Sequence, residues 1–132
     1  MNSNSGTNVP ESDRLGVADR ERPDPSTPLR AFAGTIHADP DEVFASIAAR
    51  VAPTEGFFLA DPVDRLAVVQ GGWWYRAEYR VLPDSEGSRV EFEIVNVATA
   101  AHWLGPITGR AVLRASASTF RDLLTALADE LE

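Results

Sequence analysis

The sequence predicts an α+β domain in which an antiparallel sheet wraps around a long C-terminal helix and a capped helix follows the first strand. Three patterns carry that prediction. Leu113, Ala117, Phe120, Leu124, Leu127 and Leu131 recur at helical steps, the stripe of an amphipathic helix. Val90, Phe92, Ile94 and Asn96 alternate with Arg89, Glu91 and Glu93, as in a half-buried strand. Asp39-Pro40-Asp41-Glu42 joins a capping residue, a proline suited to the first helical position and an acid placed for a capping box.

Residues 1–28 read as a disordered tail. Pro10, Pro23, Pro25 and Pro28 fall there among Ser, Asn and Asp, and the apolar Met1, Val9, Leu15, Val17 and Ala18 are scattered. Such a segment buries too little apolar area to offset the entropy of ordering it. The domain proper, residues 29–132, opens with the strand Leu29–Ala38, where Phe32 and Ile36 share a face and Gly34 marks a bulge or a close neighbour. Val43, Phe44, Ile47, Ala48 and Val51 then line one side of a helix that Pro53 and Gly56 end near Ala52.

Gly56–Ala60 is short and β-prone, Asp61–Asp64 is turn chemistry, and Arg65–Gln70 reads as a strand. Gly71-Gly72 is expected to be a two-residue hairpin loop. Gln70 then faces Trp73, Val68 faces Tyr75 and Leu66 faces Ala77, with Arg65 opposite Glu78 on the other face. Trp73–Leu82 and Arg89–Ala98 complete the meander around the turn Pro83–Gly87. The last helix is expected to start at Gly105-Pro106 and to run for about 26 residues, roughly 39 Å. Alternation of Ile107, Gly109, Ala111 and Leu113 offers a sixth strand instead. The helix is preferred because it puts Arg110 and Arg114 on one exposed face.

Composition narrows the function classes. The chain has 132 residues, one domain's worth, and 44% of them are apolar. Without Cys it can form no disulfide, thiolate nucleophile or thiolate metal site. With only His37 and His102, and no phosphate-binding loop or nucleophile elbow, no metal and no cofactor are expected. Twenty acids against 12 bases give a net charge of −8, which repels a phosphate backbone, so no nucleic-acid partner is expected. No apolar run reaches a membrane-spanning length, so no membrane partner is expected and a cytoplasmic location is the default. All the bases are Arg, which beside abundant Ala points to a GC-rich, bacterial coding sequence.

Ile36-His-Ala-Asp-Pro-Asp-Glu-Val-Phe-Ala-Ser-Ile47 and Phe120-Arg-Asp-Leu-Leu-Thr-Ala-Leu-Ala-Asp-Glu-Leu131 together resemble the helix-grip fold of the START/polyketide-cyclase (SRPBCC) superfamily. In that superfamily the first strand typically enters a helix through an Ala-x-Pro-x-x-Val-Phe segment, and a long helix closes the chain. The two segments cover about a quarter of this sequence. Ala52-Pro53-Thr54-Glu55-Gly56 leads almost directly into strand, where the family usually has a Trp-Pro element and often a second helix. The domain is therefore short for the family.

The resemblance implies a cavity between sheet and helix that holds a hydrophobic or aromatic small molecule. By the expected register the inward side chains are Leu66, Val68, Gln70, Trp73, Tyr75, Ala77, Tyr79, Phe92, Ile94 and Asn96. Gln70, Tyr75, Tyr79 and Asn96 bring polar tips that must satisfy one another or orient a ligand. His102 and Trp103 fall at the mouth, so the expected ligand-binding set is Gln70, Trp73, Tyr75, Tyr79, Phe92, Asn96, His102 and Trp103. A cyclase- or aromatase-like enzyme would use Tyr75, Tyr79, Asn96 and His102 as acid/base and polarising groups. A third alternative is an interaction module with a filled core. Trp74, outward by this register and near Phe58, would then mark a homodimer or partner face.

Overall fold

A computed structural model describes residues 15–132. The elements are β1 (Leu15–Val17), β2 (Thr27–Ile36), α1 (Pro40–Val51), β3 (Gly56–Asp61), β4 (Leu66–Gly71), β5 (Tyr75–Asp84), β6 (Gly87–Asn96), α2 (Leu104–Thr108) and α3 (Arg110–Leu131). The strands form one sheet in the order β1-β3-β4-β5-β6-β2. Only the β1–β3 pair is parallel, so the sheet is mixed. The fold class is α+β, and a long C-terminal helix closes it.

Local chemistry forms α1 as the sequence predicts. The Asp39 carboxylate accepts from the N–H groups of Asp41 at 3.0 Å and Glu42 at 3.3 Å. Val43, Phe44 and Ile47 face inward. The core lies between one face of the sheet and the two long helices, built from Ala77, Val81, Val90, Phe92 and Ile94 below and Phe44, Ile47, Leu113, Phe120 and Leu127 above. Gly34 turns out to mark a close neighbour. Leu124 packs so near its Cα that a Cβ would collide with the leucine methyl. The only register shift in β2 falls between Pro28 and Arg30 instead.

The β4–β5 loop corrects the expected register. It has three residues, Gly72–Trp74, with Gly72 at φ 61°. Gly71 pairs with Tyr75, Gln70 with Arg76, Val68 with Glu78 and Leu66 with Arg80. The pairing is displaced by an odd number of residues, so β4 turns its other face to the helices. Ala67 and Val69 therefore point inward, and Leu66, Val68 and Gln70 point away. The two tryptophans exchange roles: Trp74 is buried, while Trp73 is 45% exposed. Trp74 meets Tyr75 edge-on at 5.4 Å and lies against Gly109. The expected Trp74 partner face is thus interior.

Gly109 also corrects the C-terminal helix. It sits at φ −92°, ψ 20° and splits the segment into α2 and α3. A Cβ there would run into the Trp74 ring, so the chain breaks helical geometry where the indole crosses it. The remaining α3 has 22 residues, and its buried stripe is Leu113, Ser116, Phe120 and Leu127.

The expected tail is corrected over residues 15–28; its first 14 residues lie outside the described residues. β1 pairs with β3, and the Ala18 N–H donates to Phe58 O at 3.1 Å. Ala18 packs on Leu66, Val68 and Leu59, giving the helix-free face of the sheet a small core of its own. Arg76, fully buried, donates to the carbonyls of Asp19 and Arg20, both at 2.9 Å. Arg22 forks onto Glu78 at 2.9 and 2.8 Å and reaches Glu93 at 2.6 Å. Composition alone misses this, because the segment is held by backbone carbonyls and arginines more than by apolar area.

Two stability predictions follow from these contacts. Leu127→Ala should cost about 2–5 kcal/mol in urea unfolding and Arg121→Ala less than about 0.5 kcal/mol. Equal effects would mean that the α3 stripe is not the buried one. Removing residues 1–22 should cost at least about 3 kcal/mol, because it strips partners from a buried guanidinium. The melting temperature should fall by about 10 °C or more. An unchanged melting temperature would show that this segment is not docked.

Candidate functional site

A cleft of about 280 Å³ opens between the sheet, α3 and the end of α1. Tyr79 and Phe92, cross-strand partners on β5 and β6, form its floor. Phe120 and Leu123 of α3 and Val51 of α1 line its sides, and the charged Arg50 and Asp122 stand at its rim. Beside the cleft, four rings stack between the sheet and α3. Tyr79 lies 4.8 Å from Phe92, Phe92 lies 5.6 Å from Phe120, and Phe32 lies 6.1 Å from Phe92 and 5.9 Å from Phe120, centroid to centroid.

Tyr79 supplies the cleft's polar tip. Burial pushes its phenol well above the ordinary value, and the neighbouring Tyr75 phenol adds to the rise. Tyr75 is raised by burial too. Tyr79 is therefore a neutral donor at any physiological pH and is unsuited to act as a base. At the rim, Arg50 donates to Ser46 Oγ at 3.3 Å and to Glu130 at 2.8 Å. Ser46 and Arg50 in turn hold the Glu130 carboxyl below the usual range.

Of the eight side chains that sequence places in the site, the cleft brings together Tyr79 and Phe92. Tyr75 and Asn96 are cross-strand partners four residues along the same strands, about 13 Å away at strand rise. Asn96 is committed to the chain around it. Its amide donates to His102 O at 2.6 Å, and its Oδ1 accepts from the Ala98 N–H at 3.1 Å. His102 Nδ1 lies 2.7 Å from Ala98 O, an acceptor, so that nitrogen carries the proton. Nε2 is then free to accept from the Thr27 hydroxyl at 2.8 Å. Both ring nitrogens are thus engaged in a latch that ties the start of β2 to the end of β6.

Gln70 is on the opposite face, accepting from Arg76 at 3.2 Å. Trp73 and Trp103 are exposed at the loop end of the sheet. The constellation Tyr75, Tyr79, Asn96 and His102 does not converge on one point. Val51, Phe120 and Leu123 do line the cleft; Val51 and Phe120 belong to the helical stripes read from sequence as core, and Leu123 lies beside the stripe. Periodicity assigns Val51 and Phe120 to the interior but does not say which stretch of interior stays unfilled.

A larger hollow of about 490 Å³ lies on the helix-free face, above Ala31 and Ala33 of β2. Its rim carries Arg22, Arg80 and Arg89 against Glu78, Glu91 and Glu93. Burial would raise the Glu78 carboxyl, but hydrogen bonds from Arg22 and Arg76 outweigh it and hold the group below the usual carboxylate range. These charges mostly satisfy one another. Among the described residues, no cluster of three His, Asp or Glu is placed to hold a metal ion. Among the described residues, no helix is long and apolar enough to cross a membrane.

No protein-family model matches the chain, and no curated protein or solved structure matches it. The helix-grip resemblance therefore rests on the chain's own residues.

The latch is directly testable. Asn96→Ala leaves His102 O and the Ala98 N–H without their partner and should cost about 1–3 kcal/mol in chemical denaturation. A loss below about 0.5 kcal/mol would mean that solvent already serves these groups.

Proposed function

We propose that the chain binds a small hydrophobic or aromatic molecule in the cleft between the sheet and α3, within a short helix-grip architecture. One observation carries the reading. The Tyr79 side chain is half-buried in the floor of an apolar cleft, and among the described residues no group hydrogen-bonds its hydroxyl, which is left open to the cleft. A polar tip in that setting gains by meeting a ligand acceptor. The stacked Phe92 and Phe120 rings suit a flat ligand face. The volume suits one or two fused rings bearing a carbonyl or hydroxyl group that Tyr79 engages.

The cyclase- or aromatase-like alternative is the weaker one, because Tyr79 is a donor only and His102 is engaged on both nitrogens. An interaction module with a filled core is the stronger alternative, supported by the four rings stacked between the sheet and α3.

Calorimetric titration with planar aromatics, polyketide-like phenols and fatty acids tests the proposal. At least one ring compound should bind with a dissociation constant of about 1–100 μM. Tyr79→Phe should weaken a ligand with an acceptor group by about five- to tenfold and leave stability nearly unchanged. Lower stability with unchanged affinity would make the hydroxyl a structural group. No binding across all three ligand classes would favour the filled-core module.

A further inference from the structure

Ile94–Arg121 is a run of 28 residues without one Asp or Glu, in a chain that has 20 of them and a net charge of −8. The same run carries Arg110, Arg114 and Arg121, all exposed. The fold gathers this segment and the uncharged β4–β5 loop at one end of the sheet. The Val97 N–H donates to Trp74 O at 2.8 Å, the Trp74 ring lies on Gly109, and Gly105 packs against the Asn96 amide. Around these contacts stand four large apolar side chains open to solvent: Trp73 at 45%, Trp103 at 69%, Ile107 at 52% and Val112 at 46% exposure. The other exposed apolar residues, Val17, Phe57 and Val63, sit with β1, β3 and the turn that carries Asp61 and Asp64.

We infer that this end of the molecule docks onto an anionic membrane surface, Trp73, Trp103 and Ile107 entering the headgroup region and Arg110 and Arg114 meeting lipid phosphates. The charge arrangement selects an anionic partner, because the segment Ile94–Arg121 brings three exposed arginines and no acid to this end. The apolar groups come from a loop, a coil, a short helix and the side of α3. They stand as separate prongs, which a fluid interface can accommodate side chain by side chain. A rigid protein partner would need a continuous groove. Indole suits the headgroup boundary, with an apolar body and one N–H donor. The expectation of no membrane partner rests on the absence of a spanning segment, which does not bear on surface docking. Screening within about 10 Å at 0.1 M salt lets the local arginines outweigh acids on the far side. Among the described residues, Asp24, three residues before Thr27, and Glu55, next to Gly56 beside the β4–β5 loop, are the carboxylates on the adjoining segments. This reading is independent of the cleft.

Vesicle sedimentation of the full chain tests it, with phosphatidylcholine alone and with equal parts phosphatidylcholine and phosphatidylglycerol. Binding to the anionic vesicles is expected, with a blue shift of tryptophan emission and loss of binding at high salt. Arg110→Gln and Arg114→Gln should each weaken it about fivefold. Trp103→Ala combined with Ile107→Ser should abolish the emission shift. All four positions are exposed, so thermal unfolding should match the parent chain. If the apolar pair fails to fold, the arginine variants alone decide. Three results would overturn the proposal: no binding to anionic vesicles at low salt, binding that none of these substitutions alters, or equal binding to both vesicle types. A self-association, or capture of an acidic amphipathic peptide, that Trp103→Ala abolishes while vesicles stay unbound would overturn it too. The surface would then serve a protein contact.

Discussion

The buried guanidinium of Arg76 is the constraint around which the rest of the sheet is arranged. It is fully enclosed and donates to the Glu78 carboxylate at 2.8 Å, to Gln70 at 3.2 Å and to two main-chain carbonyls of the N-terminal segment. A charge in that position is tolerable only when nearly every donor is satisfied. The requirement reaches in three directions. It fixes which face of β5 points away from the helices, it demands Gln70 directly opposite on β4, and it draws residues 19 and 20 across the sheet. Glu78 then holds Arg22, and Arg22 reaches Glu93 on the next strand. One side chain thus orders strand parity, hairpin length and the course of the N-terminal segment together.

Much of the architecture is legible in the sequence for local reasons. The Asp39 cap and the alternation of Val90 to Asn96 depend on neighbours along the chain and form as expected; the stripe of α3 forms too, except that Ser116 is buried where Ala117 is expected. The hairpin between β4 and β5 is different. Gly71-Gly72 announces a turn but does not locate its ends, and Trp73-Trp74 offers two identical side chains, either of which can be the buried one. The choice falls to distant residues, Gly109 that receives the indole and Arg76 that must face the other way. The expected register is self-consistent in that it pairs Arg65 with Glu78. The observed one satisfies more of them, with Arg65 held by Asp41 at 2.8 Å and Glu78 by two arginines.

The candidate site divides along the same line. Tyr79 and Phe92 lie on strands whose inward parity is read correctly, so they reach the cleft. Gln70 and Trp73 depend on the misplaced hairpin and do not. Asn96 and His102 reach the correct face, but their polar groups are used by the backbone between residues 96 and 102, and a list of residue types cannot reveal that. Buried polar side chains near a chain reversal often serve the reversal itself.

The position of β2 at the edge of the sheet has a consequence for how the chain acquires its structure. Among the described residues its one strand partner is β6, and Thr27 pairs with Asn96 while Ile36 pairs with Ser88. The helix that seals it, α3, comes later still. On a ribosome, β2 therefore leaves the exit tunnel with no ladder to join until β6 has been synthesised, whereas the β5–β6 hairpin can close as soon as it appears. Pro28, the irregularity before Arg30 and the arginine itself make the waiting strand a poor template for another chain. The same features thus shield the strand during synthesis and at the free edge of the finished sheet.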